Sequence, residues 1–157
     1  MLPNDPRDIR TREDCERLVR AFYAKAMTDP MIGFLFTDVA KLDLEAHVPV
    51  ITDFWATMLL GEKSYGGGAF APHVSLHRKA GLRAPHFERW LWLWRGTVDE
   101  LYGGPVAEEA KAHANRVAAA FYRRLAGLDA GEPVDPTQSD PLAVMHYGGG
   151  GASRAQP

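Results

Sequence analysis

Residues 47–73 read HVPVITDFWATMLLGEKSYGGGAFAPH, and the chain is built around this stretch. His47 lies four residues before Ile51 and therefore shares a helix face with it. Glycines 66–68 break the helix, and a second histidine, His73, follows. The pattern is typical either of an ordinary core or of a site for a flat apolar cofactor held through a metal. The apolar residues of the helix recur at steps of three and four, as one helix face requires: Ile51, Phe54, Trp55, Met58 and Leu59.

The composition is that of one ordinary globular domain. The chain has 157 residues, 46% of them apolar and 24% charged, with a net charge of −2. It shows neither a basic nucleic-acid surface nor a polybasic membrane segment. Cys15 is the single cysteine, which excludes a disulfide framework and a cysteine metal cluster. Residues 1–10 lack the apolar core of a signal peptide, and no apolar run approaches the roughly 20 residues of a membrane helix, so we expect a cytoplasmic protein.

Helical periodicity recurs along the chain, and no segment alternates like a strand, so the predicted fold is all-α. We expect three regions: a flexible lead-in over 1–10, a domain over 11–128, and a disordered tail rich in glycine and proline over 129–157. The predicted helices cover about 11–28, 44–61, 85–102 and 105–128, and the segment 61–84 is predicted to be irregular apart from one helical turn at Pro72.

Several chemistries have no motif here, including phosphate loops, dinucleotide glycines, HExxH, the helical Glu-x-x-His pair and a nucleophile elbow. Tyr23 lies inside an apolar stripe, where its hydroxyl needs a partner, either a backbone carbonyl or a bound ligand. His113 is predicted at the surface, and Trp92 at the surface or in an interface. The remaining constellation comes from three of the predicted helices and a loop: Tyr23, His47, Trp55, His73 and Trp90.

Three segments, together with His73, resemble the truncated haemoglobins, and among them group III. The segments are LVRAFYAKAMTDPMIGFLF (18–36), EAHVPVITDFWATMLLGEKSYGG (45–67) and HFERWLWLW (86–94). The combination H-x-x-x-I-x-x-F-W-x-x-M-L-L-G with a downstream Y-x-G and a histidine is specific for that group. The resemblance covers about residues 8–128.

This resemblance implies a short globin, a two-on-two helical sandwich around haem b. It implies that His73 is the proximal histidine that ligates iron. The implied distal residues around a bound gas are Tyr23, His47 and Trp90, which carry hydrogen-bond donors. The implied haem contacts are Ile51 and Trp55 in the pocket, Phe36 as an aromatic wedge, and Tyr65 near the propionates. The chain has Ala69 where relatives often carry a proline, and Pro72 directly precedes His73, so His77 remains an alternative ligand.

Three functions stay open at this point. The first is a haem b protein that binds dioxygen, with nitric oxide, carbon monoxide or peroxide as further candidate ligands. The second is a haem-dependent redox enzyme, peroxidase-like or a nitric oxide dioxygenase, served by an unidentified reductase. The third is a non-haem helical metal-binding or interaction module that uses His47, His73 and His77.

Overall fold

The computed structural model describes residues 6–131, and within them every regular element is helical. The fold is therefore all-α, as the sequence predicts. The elements in chain order are α1 (Arg12–Ala26), a short π-helical segment (Leu35–Val39), α2 (Leu44–Leu60), α3 (Phe70–Ala80), α4 (Ala84–Leu101) and α5 (Pro105–Asp129). No helix in this part of the chain is long and apolar enough to cross a membrane.

Two helix pairs form the body of the fold. Helix α1 packs against α2, and α4 packs against α5. The pairs then meet through contacts of α1 with α4 and of α2 with α5, while α3 touches α5 and the π-helical segment. This is the two-on-two arrangement that the family resemblance implies, and it leaves room between the pairs for a cavity.

The two helices that begin the domain start at the predicted caps. The Thr11 hydroxyl accepts from the Asp14 N–H at 3.1 Å, and the Asp14 carboxylate accepts in return from the Thr11 N–H at 3.0 Å. Asp43 caps α2 by accepting from the Ala46 N–H, and Gly61 ends that helix with φ of 76°.

Helix α3 differs from the prediction, because 70–80 form a regular helix of 11 residues instead of a single turn. Pro72 falls in its first turn, where backbone N–H groups have no acceptor within the helix, so the missing donor costs nothing. Phe70 and Val74 are buried and hold the helix to the core, and Gly81 ends it with φ of 70°.

The lead-in is also different from the prediction, because 6–10 are anchored to the domain. Ile9 is only 1% exposed. The Asp8 carboxylate accepts from the backbone N–H groups of Val106 and Ala107 at 2.9 and 2.8 Å, which caps α5 from outside. Gly104 has φ of 135°, and a Cβ there would lie 2.6 Å from the Asp8 carboxyl group. The predicted tail lies outside the described residues from 132 onward, and α5 itself extends to Asp129.

Candidate functional site

An apolar cavity of about 210 Å³ lies between the helix pairs and is closed on further sides by α3 and the π-helical segment. Most of the sequence-predicted site residues line it: Tyr23, Phe36, His47, Ile51, Trp55, His73 and Trp90. Its walls contain no Lys, Arg, Asp or Glu among the described residues. The few polar groups in it are therefore the ones that determine which ligand fits.

His73 projects from the first turn of α3 with one ring nitrogen fixed by the backbone. Its Nδ1 lies 2.7 Å from the Ala69 carbonyl oxygen, and because a carbonyl only accepts, Nδ1–H is the donor. In the neutral ring the lone pair is then on Nε2. The ring also packs against Phe121, with 4.6 Å between the centroids. This is how a metal-ligating histidine is usually oriented, with its second nitrogen donating to a backbone carbonyl.

Tyr65 supports the turn that leads into α3 and is not among the residues that line the cavity. Its hydroxyl oxygen accepts from the Ala69 N–H at 3.2 Å, and its ring packs edge-on against Phe54 at 5.1 Å. Its hydrogen bond therefore holds Ala69, the residue whose carbonyl orients His73.

His77 is not a wall residue of the cavity, because its ring is used elsewhere. Its Nε2 lies 2.7 Å from the Asp129 carboxylate, and its Nδ1 accepts from the Leu82 N–H at 2.9 Å. The structure therefore does not bring His47, His73 and His77 together as a metal module. Within residues 6–131, no group of three or more His, Cys, Asp or Glu side chains is placed to hold a metal ion.

Tyr23 and His47 form a hydrogen-bonded pair on the cavity wall. The distance from Tyr23 Oη to His47 Nε2 is 2.9 Å, and Phe36 packs edge-on against the tyrosine ring at 5.7 Å. Burial raises the pKa of the Tyr23 hydroxyl. Burial first, and then the neighbouring His73, lower the pKa of His47. Both side chains are therefore neutral at pH 7.

Two neutral groups contribute one O–H and one N–H, and their mutual bond uses one of these two protons. If His47 Nε2–H donates to Tyr23 Oη, the tyrosine O–H is left for a guest in the cavity. If Tyr23 donates, the remaining proton is on His47 Nδ1. The pair offers one donor, not two, which the sequence patterns did not indicate.

Trp90 supplies a further donor from α4. Its ring is parallel to that of Trp94, with 6.0 Å between centroids, and Trp94 stacks in turn on Trp55 at 4.5 Å. The Trp94 indole N–H donates to the Ala110 carbonyl at 3.2 Å. No acceptor for the Trp90 indole N–H lies within hydrogen-bond distance in the described part of the chain, so this donor is available to a ligand.

Two histidines have different places from those that the sequence analysis gave them. His113, predicted at the surface, is only 6% exposed because α5 packs on α2 there, and its ring lies 5.9 Å from the rings of Phe54 and Trp55. His86 was not singled out, although it lines the cavity. A sequence signal for it existed, since His86 is one helical turn before Trp90 on the same face of α4. Trp92 is 62% exposed, as predicted.

No protein-family model matches the chain. Among curated proteins, it is 27% identical over 117 residues to the group 3 truncated hemoglobin ctb of Campylobacter jejuni. The matched region covers 73% of this chain and 90% of that protein. Among solved structures, the crystal structure of group III truncated hemoglobin from Campylobacter jejuni matches with a TM-score of 0.67 and 27% identity, over 76% of this chain and 94% of that chain. The chain therefore has a globin-type fold similar to that of a group III truncated haemoglobin, and its sequence is homologous to one.

Proposed function

We propose that this chain is a haem b protein that binds dioxygen in the cavity beside Tyr23, His47 and Trp90. The observation that carries the proposal is the fixed orientation of His73 in an apolar cavity that also holds a hydrogen-bonded Tyr–His pair. The similarity to a group III truncated hemoglobin supports a globin-type haem protein.

The residues of the cavity fit a haem group on three counts. The cavity walls are apolar and aromatic, which suits a porphyrin face. The Nδ1–H of His73 is held by the Ala69 carbonyl, so the Nε2 lone pair is the one that would hold iron. Over residues 6–131, the wall contains no carboxylate that would compete for the metal. When bound, haem supplies an iron centre with an open coordination position and access to redox chemistry.

The distal residues would act as hydrogen-bond donors toward a guest of partial negative charge. The O–H of Tyr23 serves when His47 donates to the tyrosine oxygen, so His47 sets the direction of the tyrosine proton. The indole N–H of Trp90 adds a second donor whose ring is held in place by Trp94. Nitric oxide and carbon monoxide fit the same space but engage these donors less, because they carry less negative charge when bound.

A haem-dependent redox enzyme, peroxidase-like or a nitric oxide dioxygenase, is the second candidate. The Tyr23–His47 pair favours it, because a hydrogen-bonded tyrosine and histidine can hold a proton at Tyr23 Oη and replace it from the ring. Such an activity needs electrons from a separate reductase.

Absorption spectra of the purified protein, loaded with haem, test the first proposal. We expect distinct ferric and ferrous spectra, and defined shifts of the ferrous form with carbon monoxide and with dioxygen. If the purified protein does not bind haem in a stoichiometric amount, both the gas-binding protein and the haem enzyme are ruled out. Rapid turnover of peroxide or nitric oxide with a reductant present, alongside a short-lived dioxygen form, would favour the enzyme over the gas-binding protein.

A further inference from the structure

His86 is a polar residue of the cavity wall that the proposed gas-binding role leaves unused. It lies in the first turn of α4, one turn before Trp90, and it is partly buried. Its Nδ1 is 2.9 Å from the backbone nitrogen of Arg83. A backbone N–H only donates, so Nδ1 is the acceptor and carries no proton. The proton of the neutral ring is therefore on Nε2, which makes that atom a hydrogen-bond donor.

The other polar groups of the wall are already assigned, and among them the Trp90 indole N–H is assigned to the bound gas. Tyr23 and His47 bind each other, and His73 donates from Nδ1 to the Ala69 carbonyl. The wall has no Lys or Arg among the described residues. Haem carries two carboxylates along one edge, and a carboxylate brought against an apolar wall needs a donor, because an unpaired buried charge is costly. Hydrogen bonds from a donor to a carboxylate are among the stronger ones.

We propose that His86 binds a carboxylate of the haem through its Nε2–H, an assignment that rests on the proposed haem site. The position of His86 supports this, because α4 begins there and the exposed Arg83 precedes it, so this part of the wall borders solvent. Its neighbours Leu82 and Phe87 also line the cavity and would contact the apolar part of the same edge. Tyr65 is less suited to this role, because it does not line the cavity.

The test measures the rate at which ferric haem leaves the loaded protein for an excess of apomyoglobin. The substitution His86→Glu keeps an acceptor that can cap the Arg83 N–H, as glutamate does at the third position of a helix, but replaces the donor with a negative charge. His86→Gln keeps both a capping oxygen and an N–H donor. Ala84→Glu is the matched control, since it adds the same charge two residues away without lining the cavity.

We expect His86→Glu to lose haem about 10-fold faster or more, and His86→Gln to stay within about threefold of the wild type, from the typical strength of hydrogen bonds to charged groups. Ala84→Glu should match the wild type. When haem is replaced by its dimethyl ester, which has no carboxylate anion, His86→Glu and the wild type should lose the ligand at equal rates.

Equal loss rates of haem from the wild type and His86→Glu would overturn the assignment, as would a difference that persists with the dimethyl ester. An Ala84→Glu variant as impaired as His86→Glu would show a general charge effect and overturn it as well. Wild-type protein that takes up no haem at all would instead overturn the proposed function, and with it this assignment. Far-ultraviolet circular dichroism of each apoprotein verifies the fold. The pair His86→Gln and His86→Leu repeats the comparison of haem loss rates without any added charge.

Discussion

The hydroxyl of Tyr23 is held within 2.9 Å of His47 Nε2, so its proton is positioned before any ligand arrives. We expect Tyr23→Phe to speed dioxygen release from the ferrous protein about 10- to 100-fold, because hydrogen bonds to charged groups contribute about 1.5–3 kcal/mol. Carbon monoxide release should change much less. Stopped-flow release rates for the two gases measure this.

The matched variant is Trp90→Phe, which removes a donor that is not bonded to the pair. It should also speed dioxygen release. The double variant Tyr23→Phe/His47→Leu should lose less dioxygen-binding free energy than the sum of the two single losses, because the two residues share one hydrogen bond. If both gases respond equally to Tyr23→Phe, the tyrosine is a packing residue and not a donor to the ligand.

His73 and His77 are four residues apart, but only His73 lines the cavity. We expect His73→Ala to abolish stable haem retention and His77→Ala to retain haem, because the His77 ring is bonded to Asp129 and to the Leu82 N–H. Titration of each apoprotein with haem, followed by gel filtration, measures retention. Haem lost only from the His77 variant would identify His77 as the ligand instead.

The partly buried position of His47 gives the protein an acid-sensitive group. Burial, and second the neighbouring His73, lower its folded pKa below the ordinary value of 6.5. The unfolded chain therefore takes up a proton at a pH where the folded protein does not, and stability falls as the pH drops below about 6.5 by up to about 1.4 kcal/mol per pH unit. If His73 holds iron, its charge is removed and burial remains as the cause.

Urea unfolding between pH 5 and 7.5 measures this contribution as the difference between the wild type and His47→Gln. The variant should lose less stability on acidification than the wild type. Parallel plots of the free energy of unfolding against pH for the two proteins would mean that the pKa of His47 is the same in the folded and unfolded states.

Helix periodicity locates single residues better than it locates pairs. It placed Tyr23, His47 and Trp90 on faces that do line one cavity. It did not indicate the Tyr23–His47 bond, because a helix face fixes a direction but not the partner that another helix brings to it. His113 was misplaced for the same reason, since only the approach of α5 to α2 buries it.

The first turn of α5 depends on a side chain from a distant segment. The Asp8 carboxylate accepts from the Val106 and Ala107 N–H groups, and Gly104 leaves the space that this approach needs. We expect Asp8→Ala to lower the free energy of unfolding by about 1–2 kcal/mol, as the loss of a helix N-cap does. Asp38→Ala, at an exposed carboxylate, is the control. Equal unfolding curves for Asp8→Ala and the wild type in urea would contradict the capping role.

Helices with strong stripes and clear caps were predictable, and α3 was not. Thr11 and Asp43 cap α1 and α2 as their sequence patterns indicate. The segment that contains α3 is short and flanked by glycines, and Pro72 masks its pattern. The helix forms because Phe70 and Val74 are buried in the core. These tertiary contacts cannot be predicted from local helix propensity.

At the scale of the described molecule, a cavity lies between two helix pairs, with α3 across one side. The all-α class followed from periodicity, and the two-on-two arrangement followed only from the family resemblance, because helix stripes do not specify which stripes meet. The anchoring of 6–10 was missed because its apolar residue, Ile9, is isolated in a polar stretch without any period.

The contact between Asp8 and α5 also affects the folding kinetics of the protein. It joins residues 98 positions apart, so it closes most of the described chain into one loop. Such a contact forms late, after shorter-range helix pairs have gathered. Asp8→Ala should therefore leave the folding rate nearly unchanged and raise the unfolding rate about 5- to 30-fold, which corresponds to 1–2 kcal/mol. Stopped-flow refolding and unfolding in urea separate the two rates, and a slowed folding limb with an unchanged unfolding limb would place this contact early instead. If only the unfolding rate rises, the contact between Asp8 and α5 governs how long the native state lasts, and not how quickly it is reached.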